Sequence, residues 1–345
     1  MPHEVEVRAP GRVNLIGDHT DYTGGLALPM AIDRHIVIRG VDRDEPSLTL
    51  TSDQDPIPAT IRLPATGVAH VEPPWARRVA AIAAELRREQ GFTGTVESTV
   101  PIGAGLSSSG ALGVALAIAL GADAGYSRLD FALLCQRAQH AATGVPAGIL
   151  DEMASLHGLD GHAMLLDCHD LTVEPVPLPE EAEVVVEYVS HRTVVGSPYS
   201  DRVRACHAAE QVIGPLRLAG VEDLASLTDP VLSARARHVI TENARVRQCA
   251  EALRAGDLVA AGGLMTASHV SLRDDYEVST PDLDAAVQTL ISTPGVYGAR
   301  LTGAGFGGCV VALAKPGAVE DGLVMRAVDG AEVVSGRSNY YRARE

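Results

Sequence analysis

A glycine-punctuated polar turn near the start of the chain constrains the fold more than any other segment. Residues 10–25 read Pro-Gly-Arg-Val-Asn-Leu-Ile-Gly-Asp-His-Thr-Asp-Tyr-Thr-Gly-Gly, and mostly apolar stretches flank the turn at 13–16 and 26–29. A packed core does not accommodate two carboxylates, an imidazole and a guanidinium so close together. A polyhydroxylated ligand does need such donors and acceptors, fixed in direction. We therefore predict an anchored binding site rather than a solvated charged loop, built from Arg12, Asp18, His19 and Asp21.

A second segment, residues 101–110, follows a predicted strand and opens a predicted helix. It reads Pro-Ile-Gly-Ala-Gly-Leu-Ser-Ser-Ser-Gly. Backbone N–H groups and the helix dipole converge on an anion at such a junction, and glycines let the backbone approach it closely. Serine hydroxyls can donate to a phosphate or ligate Mg²⁺. The segment therefore indicates a phosphate loop, although an ordinary serine-capped junction has the same pattern.

Two familiar nucleotide motifs are excluded. A Walker A loop requires Gly-Lys-Ser/Thr, and Lys315 is the only lysine of the chain. Residues 303–308 fit GxGxxG, but Cys309-Val310-Val311-Ala312-Leu313 follows them and is typical of a strand. A dinucleotide fingerprint must open a helix. A glycine turn beside a ligand or another backbone is the remaining interpretation.

Hydrophobic periodicity and capping residues predict alternating strands and helices along the whole chain. The predicted strands cover residues 4–9, 26–41, 93–100, 184–189 and 300–314. The predicted helices cover 75–90, 107–120, 127–142, 201–213, 233–254 and 281–291, and one more begins at 257. A proline-rich break at 175–183 predicts a division into domains at 1–178 and 179–345.

Composition restricts the class of protein. The formal net charge of −16 excludes a nucleic-acid partner, because a phosphate backbone requires a basic surface. The most apolar run, residues 111–120, is too short to span a membrane, and no secretory signal is recognised at the start. The five scattered cysteines form no CxxC pair and favour reduced thiols in the cytoplasm. We expect a small-molecule substrate and a monomer or homodimer.

Five segments, in this order along the chain, resemble the GHMP kinase family and, within it, its galactokinase branch. Residues 11–22 are similar to the galactokinase signature, 103–109 to the ATP-binding segment and 301–309 to the third family motif. Residues 148–152 resemble the segment with the catalytic aspartate, and 268–276 are also galactokinase-like. The resemblance implies an α+β fold of two lobes with a nucleotide and a sugar in the cleft between them. The N-terminal lobe would be ribosomal-protein-S5-domain-2-like, with a left-handed β-α-β unit, and the C-terminal lobe ferredoxin-like.

The resemblance also implies roles for individual residues, with ATP and Mg²⁺ as cofactors. Asp151 would act as base near the anomeric hydroxyl, and Arg12 would stabilise the alkoxide and the transferring phosphoryl group, as positioning and charge stabilisation require. The sugar would be held by Asp18, His19, Asp21 and Gly148, with Tyr199 closing the pocket. The nucleotide would lie on Gly103, Ala104, Gly105, Leu106, Ser107, Ser108 and Ser109, with Ser109 as a ligand of the metal.

Three departures from the family pattern affect these roles. Asp18 replaces the usual glutamate, which draws the carboxylate back by about 1.5 Å. Gln139 falls where a glutamate commonly ligates Mg²⁺, and a neutral amide is a poorer ligand for a hard cation. Residues 197–203 are less basic than the family's Ser-Glu-Tyr-Asn-x-Arg-Arg pattern.

These observations leave three functional hypotheses. The first is ATP-dependent phosphorylation of the anomeric C1 hydroxyl of a monosaccharide, with galactose as the leading substrate. The second is an anomeric kinase for a heptose, an octose or a sugar phosphate in a natural-product pathway, which the shorter Asp18 motivates. The third is a non-catalytic sugar and ATP sensor, against which Asp151 and Arg12 argue.

Overall fold

The structure, a computed structural model, describes residues 4–101, 103–121, 125–191 and 198–335. Ile102, Ser197 and the polar sequence after Ser335 lie outside these residues. The strands are β1 (Glu4–Asn14), β2 (Leu26–Ala27), β3 (Pro29–Arg43), β4 (Ser47–Ser52), β5 (Ala59–Arg62), β6 (Gly91–Ser98), β7 (His162–Asp167), β8 (Thr172–Pro177), β9 (Glu183–Ser190), β10 (Val296–Thr302), β11 (Gly308–Ala314), β12 (Leu323–Met325) and β13 (Glu332–Ser335). The helices are α1 (Ala76–Glu85), α2 (Ser108–Gly121), α3 (Arg128–Thr143), α4 (Leu150–His157), α5 (Tyr199–Ile213), α6 (Pro230–Arg254), α7 (Leu258–Asp274) and α8 (Pro281–Ser292).

The N-terminal half is built on a six-stranded sheet with the order β13-β1-β3-β6-β4-β5. Its long central pair, β1 and β3, is antiparallel, and β4 runs parallel to β6. Helices α1 to α4 pack together, and α2 and α4 contact β1 and β3. The apolar faces of these elements form one continuous core. The chain leaves β1 at Asn14 directly into the polar turn, so the sheet positions the turn.

The C-terminal half is built on an antiparallel four-stranded sheet with the order β10-β11-β9-β12. Helices α7 and α8 pack on β10, and α6 packs between α5 and α7. A second buried cluster fills this half. A small third sheet, β2-β7-β8, adjoins the polar turn. The mixture of helices and largely antiparallel sheets confirms the predicted α+β class.

Residues 303–308 connect β10 to β11 as the turn of an antiparallel hairpin. Glycines 303, 305, 307 and 308 all have positive φ, a conformation that glycine adopts at little cost. The prediction that the GxGxxG match leads into a strand is therefore confirmed. The hairpin turn contacts the polar turn through hydrogen bonds of Gly303 with Asp18 and of Ala304 with His19.

The predicted break at 175–183 coincides with the connection between β8 and β9. The last described strand, β13, nevertheless pairs antiparallel with β1 in the N-terminal sheet. The chain thus returns to the first half after completing the second. The division at residue 178 stays a prediction. Within the described residues, no helix combines the length and apolarity that crossing a membrane requires.

Candidate active site

The polar turn between β1 and β2 is held in place by the C-terminal half. Gly17 has φ +95°, and a Cβ there would lie 2.6 Å from the carbonyl oxygen of Leu26. The Gly17 N–H donates to Glu242 Oε1 at 3.0 Å. The Leu26 N–H donates to Asn243 Oδ1 at 2.8 Å. Both partners lie on α6, so one helix satisfies the backbone at both ends of the turn.

Asp18 connects the turn to the β10–β11 hairpin. Its Oδ2 forms an ion pair with Arg300 Nη2 at 2.6 Å, and its Oδ1 accepts the Gly303 N–H at 3.2 Å. Arg300 is fully buried and Asp18 is 5% exposed. Burial raises the pKa of Asp18 above its usual value, and Arg300 and Arg12 oppose that rise. The sequence departure at position 18 therefore places a short carboxylate against a buried arginine that the sequence analysis did not identify.

Both ring nitrogens of His19 also have hydrogen-bond partners within the protein. Because a carbonyl only accepts, Nε2 donates to the oxygen of Ala304 at 3.1 Å, and Nδ1 lies 3.0 Å from the Tyr22 hydroxyl. Burial lowers the pKa of His19 well below its usual value, so the ring is neutral. Its backbone is left-handed, with φ 66°. Tyr199, the first residue of α5, lies over it with ring centroids 5.7 Å apart.

Asp21 lies against the segment that leads into α4. A Cβ at Gly148 would come 1.5 Å from Asp21 Oδ2, so glycine permits this approach. Burial, followed by the charges of Asp151 and Asp18, raises the pKa of Asp21 to about 6. Two carboxylates from distant parts of the chain therefore face the same space.

Asp151, in the first turn of α4, forms an ion pair with Arg12 of β1. Its Oδ1 lies 2.5 Å from Arg12 Nη2, and Arg12 Nη1 donates to the carbonyl of Gly105 at 2.6 Å. One guanidinium thus joins the candidate base to the candidate phosphate loop. A Cβ at Gly110 would lie 2.9 Å from Asp151 Cβ, so α2 begins directly beside Asp151.

The phosphate loop has left-handed backbone at three positions. Gly103, Gly105 and Ser107 have φ values of 72°, 82° and 61°, which is strained only at Ser107. The Ser107 hydroxyl is buried and has no hydrogen-bond partner among the described residues, and α2 begins at the next residue. The side chains of Ala104 and Leu106 belong to the core, so these two residues can offer only backbone groups to a ligand.

Two adjoining cavities meet beside this loop. The polar cavity, of about 490 Å³, is lined by Arg12, Asp18, His19, Asp21, Gly103, Ser109, Gln139, Gly148, Asp151, Glu152 and Tyr199, among others. The apolar cavity, of about 320 Å³, lies beside Trp75, Val96 and Leu112. Arg78, Ser109 and Thr143 line both cavities. The structure therefore brings the predicted turn, loop and aspartate to one place.

Possible metal ligands are oxygen atoms on two helices. Ser109 of α2 and Gln139 of α3 line the polar cavity, and Gln139 Oε1 is buried without a partner. Among the described residues, no cluster of three histidine, cysteine or acidic side chains could hold a metal. A cation bound here would need further oxygen donors from its ligand.

Sequence reasoning missed several residues of this site. Trp75, Arg78 and Glu152 line the cavities, and Arg300 holds Asp18. Arg78 carried a detectable signal, since it is a charged residue on the helix that was predicted from Val79 and Ile82. Arg300 carried little signal, because one charge in an otherwise apolar strand has many explanations.

Three family models match the chain. The galactokinase galactose-binding signature covers residues 2–40, the GHMP kinases N terminal domain covers 76–159 and the GHMP kinases C terminal model covers 249–323. Together they include Arg12, the phosphate loop, Asp151 and the whole β10–β11 hairpin.

Individual relatives match over almost the whole chain. A galactokinase of Chloroflexus aurantiacus is 41% identical over 96% of this chain and 88% of its own length. The galactokinase of Homo sapiens is 43% identical over 91% of this chain and 85% of its own length. The crystal structure of Lactococcus lactis galactokinase complexed with galactose superimposes with a TM-score of 0.88 at 30% identity, over 95% of this chain and 94% of that chain. A mevalonate kinase of L. major shares the fold, with a TM-score of 0.66 at 20% identity over 93% and 95% of the two chains.

Proposed function

The chain belongs to the galactokinases of the GHMP kinase family, and we propose that it transfers the γ-phosphoryl group of ATP to the anomeric C1 hydroxyl of galactose. The Asp151–Arg12 ion pair carries this proposal. It lies in the polar cavity, and Arg12 also contacts the phosphate loop through Gly105. A hydroxyl placed beside Asp151 would therefore meet both a carboxylate and a guanidinium. Phosphoryl transfer depends mainly on such positioning and charge stabilisation.

Asp151 would orient the acceptor hydroxyl and receive its proton at a carboxylate oxygen. Arg12 would stabilise the negative charge that develops on the attacking and transferring oxygens. Because Arg12 is 6% exposed and Asp151 is its ion-pair partner, its guanidinium is held in place before any ligand binds. Preorganised charge of this kind needs little rearrangement during the reaction.

The sugar end would be read by the polar turn. Asp21 offers carboxylate oxygens toward the cavity, and Tyr199 lies over His19 at the cavity wall. Each Asp18 oxygen already accepts one bond, but a carboxylate oxygen can accept two. His19 uses both ring nitrogens inside the protein, so we assign it to orienting the hairpin turn as well as to contact with the sugar ring.

The remaining groups of the cleft suit a magnesium-bound nucleotide. The apolar cavity with Trp75 has the character that an adenine base requires. The phosphate loop and the start of α2 would hold the phosphates, and Ser107 Oγ is an orphaned donor there. Ser109 and the unpartnered Gln139 Oε1 are oxygen donors that Mg²⁺ accepts. When bound, MgATP supplies the transferable phosphoryl group. The formal net charge of −16 supports a small-molecule substrate, since a nucleic-acid partner would require a basic surface.

The test is a ³¹P NMR assay of the purified protein with MgATP and a panel of aldoses. We expect a sugar 1-phosphate from galactose, formed with stoichiometric ADP. If a heptose, an octose or a sugar phosphate were turned over faster than galactose, that sugar would be the substrate, and the protein would still be a kinase. ATP and galactose binding without any turnover would support a sensor instead.

The matched variant is Asp151→Asn, which keeps the shape and removes the charge. We expect sugar-dependent ADP formation to fall by about 10²–10⁴-fold, while ATP binding measured by calorimetry remains. The control is Glu174→Gln. Glu174 is exposed and pairs with Arg254 at the surface, so we expect the rate of this variant to equal that of the wild type. Full activity in Asp151→Asn would contradict the proposed role of Asp151.

A further inference from the structure

Arg78 lies at the junction of the two cavities, where the phosphate chain of a nucleotide would run. It belongs to the buried face of α1 and is 6% exposed. It lines the polar cavity together with Asp151 and the apolar cavity together with Trp75 and Ser108. A Cβ at Gly113 would lie 3.4 Å from Arg78 Nη1. The guanidinium is therefore beside α2, about one turn after the residues that begin the helix.

One buried donor of Arg78 is not used within the described part of the protein. Its Nη1 is buried and has no hydrogen-bond partner among the described residues. A buried guanidinium without a partner is expensive, and native proteins rarely leave one unexplained. An unmet donor of this kind in a cavity wall indicates a ligand that supplies acceptor oxygens.

Glu152 is the acidic side chain whose charge acts on Arg78 most strongly. It is 2% exposed, and its Oε2 also lacks a partner. No ion pair between the two side chains is present in the described part of the chain, although both line the polar cavity. A purely structural buried pair would be expected to close to hydrogen-bond distance, because only close contact offsets the loss of hydration. Burial raises the pKa of Glu152 to about 8, so this carboxyl is mostly neutral at pH 7 and leaves both the charge and the donors of Arg78 available to a ligand.

We propose that Arg78 is a phosphate-binding residue, whose guanidinium donates to the phosphate chain of the bound nucleotide beside the start of α2. The proposal rests on the proposed function, since it requires a nucleotide in this cleft. Arginine suits the task, because its donors match phosphate oxygens and its charge persists when buried.

The rest of the cleft explains why a further cation is needed here. The phosphate loop contains no lysine, because the only lysine of the chain is Lys315. The metal site offers neutral oxygens from Ser109 and Gln139 instead of a carboxylate. Arg12 is already paired with Asp151. Arg78 therefore supplies positive charge where the polyphosphate chain passes between the two cavities.

The experiment compares the binding of ADP and of adenosine by calorimetry, in Mg²⁺ and in EDTA. For Arg78→Met we expect ADP affinity to fall about 10- to 100-fold in both conditions, as for a buried charge-assisted hydrogen bond. Adenosine affinity should stay within twofold, since adenosine has no phosphate. Arg78→Lys should recover part of the ADP affinity, because it keeps the charge but not the planar donors.

Two controls separate phosphate binding from a structural role. The double variant Arg78→Met/Glu152→Gln removes the arginine and the buried carboxyl beside it, so it should fold at least as well as the single variant and still bind ADP weakly. Arg137→Met removes an arginine of α3 that is exposed, pairs with Glu85 and lines neither cavity. We expect Arg137→Met to retain ADP affinity within about twofold.

Each outcome is decisive. ADP affinity within twofold of the wild type in the double variant overturns the role of Arg78, and so does an equal loss of ADP and adenosine affinity. If the wild-type protein bound no ADP, the proposed function itself would fail. If wild-type binding and turnover are normal and only the Arg78 effect is missing, the proposed function stands and this inference alone is wrong.

Discussion

The two ends of the cleft differ in how their polar groups are satisfied. At the sugar end, Asp18 and His19 have partners inside the protein, and the backbone of the turn is bonded to Glu242 and Asn243. At the nucleotide end, the described side chains that line the cavity leave Arg78 Nη1, Gln139 Oε1 and Glu152 Oε2 buried without partners. Asn14 and Arg300, behind the sugar end, also have unpartnered atoms, but neither of these side chains lines the cavity.

This difference teaches how one cleft can serve two ligands. A sugar is recognised by the direction of its hydroxyls, so the groups that read it must be fixed in advance. A polyphosphate with its cation brings many acceptors and strong charge, so it can complete the bonding of the groups that receive it. The sugar end is therefore organised by the fold, and the nucleotide end is completed by its ligand.

The largest effect is expected where the two ends are joined. Arg12→Gln breaks the contacts with Asp151 and with the carbonyl of Gly105, and we expect kcat to fall by about 10³-fold. Sugar and ADP affinities, measured separately by calorimetry, should change far less than kcat. An equal loss of kcat and of both affinities would mean that Arg12 mainly shapes the cleft.

Replacing Arg300 is expected to affect the sugar end of the cleft and not the nucleotide end. Arg300→Met leaves the Asp18 carboxylate buried without its partner, and we expect the free energy of unfolding to fall by about 3–5 kcal/mol. The KM for the sugar should rise, whereas ADP affinity should not. Urea denaturation and calorimetry measure both quantities.

An exposed arginine provides the control. Arg273 pairs with Asp274 at the surface, so Arg273→Met should change the free energy of unfolding by less than about 1 kcal/mol. The double variant Arg300→Met/Asp18→Asn should recover part of the lost stability, since it removes the unpaired charge. If Arg300→Met weakened nucleotide binding as strongly as sugar binding, the two ends would not be separable.

The pH dependence of sugar binding sharpens the comparison, because Asp21 titrates near neutrality. Burial raises its pKa to about 6 from 3.8, and an ionised carboxylate accepts sugar hydroxyls. We expect sugar affinity to rise about tenfold from pH 5 to pH 7, following the ionised fraction of a group with that pKa. ADP affinity should lack this step, and Asp21→Asn should abolish it.

The same shift makes Asp21 unfavourable for folding above its pKa. The folded protein holds the proton up to about pH 6, but the unfolded chain releases it near pH 3.8, so this group's contribution to stability falls as pH rises between these values. Asp21→Asn should therefore gain more stability, relative to the wild type, at pH 8 than at pH 4.5. An equal change at both pH values would contradict the raised pKa.

The smallest effect is expected from Asp18→Glu. The added methylene moves the carboxylate about 1.5 Å while Arg300 and Gly303 hold its present position. We expect the ratio of kcat/KM for galactose to that for a heptose to change by a factor of about five, or about 1 kcal/mol. Nucleotide KM should be unchanged. An unchanged ratio would show that residue 18 does not determine which sugar the enzyme prefers.

Much of the site could be predicted because its motifs are local. The capping of α3 by Ser127 and of α8 by Thr280, with Pro281 in its first turn, depends on neighbours a few residues away. The glycines of the phosphate loop likewise predict a left-handed backbone, with positive φ, that other residues rarely adopt.

The partners of these motifs could not be predicted in the same way. Asp18 meets Arg300 across 282 residues, and Arg12 meets Gly105 across 93. Nothing near Arg300 in the sequence distinguishes a buried, functional arginine from one that reaches solvent along an apolar face. The roles assigned to Asp18, His19, Asp21, Gly148 and Tyr199 in sugar binding stay predictions until a ligand is measured.

The amino-acid sequence by itself determined the motifs, most of the helices and the class of chemistry, because these follow from backbone preferences and side-chain types within short windows. Only the tertiary structure decided which charges meet. Burial and distance set the strength of an electrostatic contact, and both arise when remote segments pack together. The pairing of Asp151 with Arg12, the clamp of Arg300 on Asp18 and the unmet donor of Arg78 all belong to that second category.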